Sequence, residues 1–273
     1  MNILTIRNVI RLLLIASLSL GVILITSLGT IINPASAQDG KPTIVLVHGA
    51  FAGSSSWNGV LSKLIAKGYP TIAAANPLRG VKSDADYVAS ILKSIEGPIV
   101  LVGHSYGGAV ITNAVNGNQN VKALVYVDGF APEVGETAAE LSGRYPGSTL
   151  APTLAPPIVL PDGGKDLYIQ QSKFHAQFAA DVPTSDAQLM ASTQRPIVAA
   201  AFNEASGVPA WKSTPSWFIY GSRDLNIPPA MHAFMAKRAN SKETIAVNGA
   251  SHVVMLSHPD AVAKLIEHAA TAK

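Results

Sequence analysis

Apolar positions along this chain follow two alternating patterns: short unbroken runs, and longer stripes spaced three and four residues apart. The runs at 43–47, 71–75, 98–102, 121–127, 216–220 and 244–247 are too short for independent helices, and they are apolar on both sides of the chain. That pattern predicts strands buried on both faces of a mostly parallel sheet. Between them, Trp57, Val60, Leu61, Leu64 and Ile65 repeat at helical spacing up to Gly68. Val88, Ile91, Leu92 and Ile95 form a second stripe, with Ser83 and Asp86 spaced as a capping box ahead of it and Glu96-Gly97-Pro98 closing it. A small-residue helix follows Ser105 to about Val115, another opens at Pro228-Pro229 and runs to Arg238, and a last one begins at Pro259 with Val262, Leu265, Ile266 and Ala269 facing inward. Right-handed crossovers then bring the loop-bearing strand ends to one edge of the sheet, where a site is expected.

The alternation stops between residues 131 and 212. This stretch holds Pro146, Pro152, Pro156, Pro157 and Pro161, a Gly163-Gly164 turn, and helical pieces at 167–180 and 185–191. It is too long for a plain loop and reads as an inserted cap over the sheet edge. At the other end, Arg7 and Arg11 precede an uncharged apolar run over 12–32, and Ala35-Ser36-Ala37 forms a small-x-small cleavage site. Residues 1–37 read as a signal peptide, with Gln38 opening an exported mature domain over 38–273 that has no stable membrane association. An uncleaved anchor is the competing reading of the apolar run.

With 48% hydrophobic and 14% charged residues in 273, the chain can bury a full core and is not a disordered protein. Its formal charge is +3, and Arg7 and Arg11 of that total lie in the leader. No basic patch with interleaved aromatics remains, which speaks against a nucleic-acid partner. The absence of cysteine removes disulfides, thiolate metal sites and lipid attachment together.

The chemistry concentrates at Gly103-His104-Ser105-Tyr106-Gly107, where a strand reverses into a helix around a serine flanked by glycines. A serine hydroxyl needs a base beside it and a group that orients the base. His252, in the turn after the last strand, is the candidate base, and Asp224, after the preceding strand, is the candidate acid. Asp128 is the rival acid, read as shaping the cap entrance instead. An oxyanion would be met by the Tyr106 amide and by the Ala50 amide beside Gly49, with Phe51 as the alternative donor. His48 is expected to brace that loop, and His104 to pack beside the elbow. His175, His232, His258 and His268 read as helix-surface residues without metal-ligand spacing. No phosphate loop or dinucleotide fingerprint occurs, so no cofactor is implied. Phe174, Phe178, Phe202 and Trp211 are expected to make an apolar pocket under the cap.

From about Lys41 to its end the sequence resembles the α/β-hydrolase superfamily, on His48-Gly49-Ala50-Phe51, Gly103-His104-Ser105-Tyr106-Gly107-Gly108, Tyr220-Gly221-Ser222-Arg223-Asp224 and Gly249-Ala250-Ser251-His252. Within it, Val127-Asp128-Gly129-Phe130-Ala131-Pro132 and the stretch from His252 to Pro259 resemble bacterial serine esterases related to plant methylesterases and hydroxynitrile lyases. The resemblance implies an α/β-hydrolase fold, with helices on both faces of the sheet, and an acyl-enzyme mechanism acting on a small-molecule carboxylic ester. It also leaves two rivals, a cofactor-free lyase or perhydrolase and a non-catalytic ligand-binding protein on the same fold. The lyases carry threonine at the position of Gly49 and lysine at that of Val253, which sets this chain nearer the hydrolytic branch.

Overall fold

A parallel strand pair needs a crossover connection, and the alternation of runs and stripes supplies one between each strand and the next. The computed structural model describes residues 40–115 and 117–272; the leader expected over 1–37 lies outside them. In chain order the first half gives β1 (Thr43–Val47), α1 (Asn58–Ala66), β2 (Thr71–Ala74), α2 (Val81–Lys93), β3 (Ile99–His104), α3 (Tyr106–Ala114) and β4 (Val121–Val127). The insertion contributes α4 (Ala138–Gly143), β5 (Ile158–Val159), β6 (Lys165–Leu167), α5 (Gln171–Phe178), α6 (Thr184–Thr193), β7 (Ile197–Val198) and α7 (Ala199–Phe202). The chain then returns with β8 (Ser216–Gly221), α8 (Pro229–Arg238), β9 (Glu243–Val247), α9 (Val254–Ser257) and α10 (Pro259–Thr271).

Six strands form one sheet in the order β2-β1-β3-β4-β8-β9, with every pairing parallel. This is the fold expected from the alternation of elements. The crossover through α1 runs one way along the sheet, and those through α2, α3 and α8 run the other way. Right-handed crossovers of opposite direction cover opposite faces. α1 accordingly packs with α10, and α2 with α3. Central strands β3 and β8 are buried throughout, whereas the edge strand β9 alternates between half-buried and exposed positions. Among the described residues, no helix is long and apolar enough to cross a membrane.

Several local expectations are corrected. α2 begins at Val81, two residues before Ser83, because the Glu204 carboxylate accepts from the amides of Val81 (2.6 Å) and Lys82 (3.3 Å) and so stabilises the helix start from the far side of the insertion. Ser83 and Asp86 make no capping box. Ile65 points to solvent, 60% exposed, although it continues the α1 stripe. In the insertion, residues 165–167 are a strand, and the helix starts only at Gln171. The Gly163-Gly164 turn joins β5 to β6, and β6 pairs with β7, which makes a small antiparallel sheet.

Candidate active site

β1 and β3 are neighbours in register, Val47 opposite Gly103, so the loop leaving β1 lies against the turn leaving β3. The turn is tight: a Cβ on Gly103 would come within 2.6 Å of the Gly107 carbonyl oxygen, and one on Gly107 within 2.4 Å of that of Val47. Ser105 adopts φ 53°, ψ −123°, a backbone state that non-glycine residues rarely take and that is held here by the surrounding packing. Its amide donates to the Val127 carbonyl (3.2 Å), and its carbonyl accepts from the amides of Gly108 (2.9 Å) and Phe130 (3.0 Å).

The hydroxyl of Ser105 lies 2.9 Å from Nε2 of His252, and Nδ1 of His252 lies 2.7 Å from Oδ2 of Asp224. An ionised carboxylate can only accept, so the proton is on Nδ1 and Nε2 is free to accept from Ser105. Asp224 also takes the amides of Asn226 (2.8 Å) and Ile227 (3.0 Å) on Oδ1. Burial alone would raise this carboxyl, but the imidazoles of His252 and His232 outweigh it and hold Asp224 below the ordinary carboxylate range. The acid and histidine loops are laced together: Gly249 donates its amide to Ser222 Oγ (2.8 Å), and Arg223 donates its amide to the Ala250 carbonyl (2.9 Å). His104 donates from Nε2 to the His252 carbonyl (2.9 Å), and burial followed by the neighbouring His252 drives its basicity well below that of an ordinary imidazole.

Two ionisable residues occupy places other than those expected. Asp128 does not shape a cap entrance. It is fully buried, and it accepts from the Gly221 amide on Oδ1 (2.8 Å) and the Val254 amide on Oδ2 (3.0 Å), clamping the strand end before Asp224 to the residue two past His252. Burial, then the charge of Asp224, pushes its carboxyl up to about 8. His232 is not a surface residue: it is 1% exposed, stacks on Tyr220 with ring centroids 4.9 Å apart, and places Nε2 3.0 Å from Oδ2 of Asp224. Asp128, Asp224 and His232 bring three ligand-type atoms within 4.8 Å of one another, a grouping unforeseen in the sequence. Both carboxylates already accept from protein N–H groups on each oxygen, so they serve hydrogen bonding and are poor candidates to hold a cation.

The loop after β1 approaches the elbow without any side chain between them, since a Cβ on Gly49 would fall 2.6 Å from that of Ser105. Among the described residues the amides of Ala50 and Tyr106 have no partner, whereas the Phe51 amide donates to the Arg195 carbonyl (2.9 Å). His48 braces this loop by donating from Nδ1 to the Gly49 carbonyl (2.9 Å), while Arg195 approaches its Nε2 (3.4 Å) and Asn76 donates to its carbonyl (2.9 Å). Burial lowers His48 to about 4, and the Arg195 charge adds to this against the opposing effect of the Gly49 carbonyl.

The space beside Ser105 amounts to about 10 Å³, room for roughly one water. Phe51, Phe130, Leu150, Phe178, Phe202 and Ile227 wall it, with Ser142 and Asn226 as polar neighbours and no lysine, arginine or carboxylate. Phe178 and Phe202 are thus where the sequence placed them. Phe174 instead stands behind Phe178, centroids 5.0 Å apart, and Trp211 donates to the Pro132 carbonyl (2.9 Å) away from the pocket.

The sequence profile of the alpha/beta hydrolase family matches residues 44–265. An alpha/beta hydrolase of Aspergillus novofumigatus is 27% identical over 250 residues, covering 84% of this chain and 97% of its own. A pyrethroid hydrolase of Sphingobium wenxiniae is 28% identical over 244 residues, covering 82% and 85%. The crystal structure of polyneuridine aldehyde esterase superposes with a TM-score of 0.72 at 17% identity, over 83% of this chain and 98% of its own, a likeness of fold.

Proposed function

Because the chain belongs to the alpha/beta hydrolase family, we propose that it is a serine hydrolase of carboxylic esters, with Ser105 as nucleophile, His252 as base and Asp224 as the acid that orients the base. The observation that carries this reading is the continuous chain from Ser105 Oγ through both ring nitrogens of His252 to Asp224. Ser105 attacks the ester carbonyl as its proton passes to Nε2. The resulting oxyanion is met by the unpaired amides of Ala50 and Tyr106. His252 then gives the proton to the leaving alkoxide, and water, activated by the same nitrogen, cleaves the acyl-enzyme.

An uncharged, largely aromatic wall favours neutral apolar esters, since an anionic group buried there would lack a paired cation. The name of the pyrethroid hydrolase relative fits such a substrate class. A lyase of this fold is disfavoured by Gly49, where a threonine side chain would collide with Ser105. Ser105→Ala is expected to abolish hydrolysis of neutral aryl and alkyl esters while the circular dichroism spectrum stays unchanged, because alanine tolerates the same backbone. Hydrolysis that survives in this variant would remove Ser105 from the mechanism. We further propose export with cleavage after Ala37, to be read from the mass of the N-terminal peptide of the secreted protein; a retained leader in the membrane fraction would replace it with the anchor reading.

A further inference from the structure

The carboxylate of Asp224 has four hydrogen-bond donors, two on each oxygen. Oδ1 takes two backbone amides, and Oδ2 takes two imidazoles, His252 at 2.7 Å and His232 at 3.0 Å. The mechanism above uses only one of those rings. His232 is nonetheless built in as firmly as His252. It lies in the first turns of α8 between Met231 and Met235 on the buried face, it is 1% exposed, and its ring lies nearly parallel to that of Tyr220, 15° apart. Since Oδ2 can only accept, Nε2 of His232 carries a proton directed at the same oxygen that orients the base. The ionisable groups facing it are Asp224, Asp128 and Tyr220, with His252 across the shared oxygen.

We propose that His232 is a positioning residue for this reaction, acting through Asp224: its N–H fixes Oδ2 in line with His252 and takes a share of the carboxylate charge that would otherwise fall on His252 alone. The proposal rests on the serine-hydrolase reading of the site. A hydrogen bond to an ionised group is among the stronger ones, so its loss should be felt at the partner. Without His232, Oδ2 has one imidazole donor. Its bond to Nδ1 of His252 strengthens, and the protonated form of His252 gains relative to the neutral base. Oδ2 also loses one of the two donors that hold it in line with His252, leaving the amides of Asn226 and Ile227 to fix the plane from Oδ1 alone.

Two variants separate this from packing. His232→Phe keeps a ring on Tyr220 and removes the donor, whereas His232→Gln supplies an N–H and removes the ring. The proposal expects His232→Phe to lower kcat about tenfold with little change in KM, and to move the acid limb of the kcat/KM profile upward by roughly half a unit or more. His232→Gln should restore most of the kcat and return the limb toward its original position. A normal profile in the Phe variant with a damaged Gln variant would assign His232 to packing and overturn the proposal. Proton NMR of the folded protein reads the same hydrogen bonds without turnover. The wild type should show two downfield imidazole N–H resonances, and His232→Phe should lose one and shift the other further downfield. A remaining resonance that does not move overturns the proposal, even if the ester assay succeeds. Activity retained in Ser105→Ala would instead strike the serine-hydrolase reading, with the NMR comparison still reporting on the shared carboxylate.

Discussion

Asp224 and Asp128 are both buried carboxyls at strand ends, and their partners divide their work. In the proposed mechanism Asp224 faces an imidazole that becomes cationic during turnover, whereas Asp128 faces two backbone amides that never change charge. Asp224→Asn should therefore cost on the order of 10⁴ in kcat, by analogy with the orienting acid of serine proteases. Asp128→Asn turns an amide NH₂ toward one of its two N–H donors, and should lower stability by ~1–3 kcal/mol while leaving most of the kcat. Chemical denaturation beside steady-state kinetics checks both, and the opposite ranking would make Asp128 the acid. That Ser105, Asp224 and His252 come together could be read from the sequence because each follows a strand end, in the order this sheet requires. The role of Asp128 could not, since its donors are amides of Gly221 and Val254, and a backbone amide leaves no mark in a sequence. His232 was readable in principle, as a polar residue inside the buried stripe Met231, His232, Met235 and Ala236, but a lone histidine on a helix reads as surface unless the carboxylate it meets is known.

In the proposed mechanism the element that decides whether an oxyanion can be held is the loop between β1 and α1. Its position depends on a missing side chain at Gly49, where a Cβ would lie 2.6 Å from Ser105 Cβ and 2.8 Å from the His104 carbonyl oxygen, both impossible contacts. Gly49→Ala must then push the loop off the elbow and carry the Ala50 amide with it. The expected result is a fall in kcat approaching ~10² at nearly constant KM, with a stability loss of ~1–3 kcal/mol from overpacking. A fall in KM-controlled binding alone would show that Ala50 does not serve the oxyanion. Strands of the large sheet were legible to within one or two residues, because burial on both faces writes a continuous apolar run. The start of α2 was not, because the anion at its N-terminus is Glu204, over a hundred residues later. β5, β6 and β7 are two or three residues long, too short for any periodicity to register.

At the scale of the whole molecule, the buried ionisable groups make stability depend on pH in two opposing directions. Asp128, ordinarily near 3.8, is pushed up to about 8 in the folded protein. Between those values the unfolded chain has lost a proton that the folded one keeps, so stability falls as pH rises, by about 1.4 kcal/mol per unit. His48, ordinarily 6.5 and lowered to about 4, and His104, lowered well below 6.5, act in the reverse sense: below 6.5 the unfolded chain gains protons that the folded one refuses. Two histidines then oppose Asp128, and stability is lost as pH falls below 6.5, while buried Asp84, raised above its ordinary value, offsets part of that loss toward the acid end. Asp224 is ionised in both states across this window and adds no slope. Thermal or chemical unfolding measured from pH 5 to 8 should therefore show a maximum near 6.5. Asp128→Asn should flatten the alkaline side, whatever it does to the absolute stability, and His48→Gln should weaken the acid-side fall by removing one of the two histidines that cause it. Stability that climbs steadily to pH 8 would mean that Asp128 is ionised in the folded protein, with its charge carried by the amides of Gly221 and Val254.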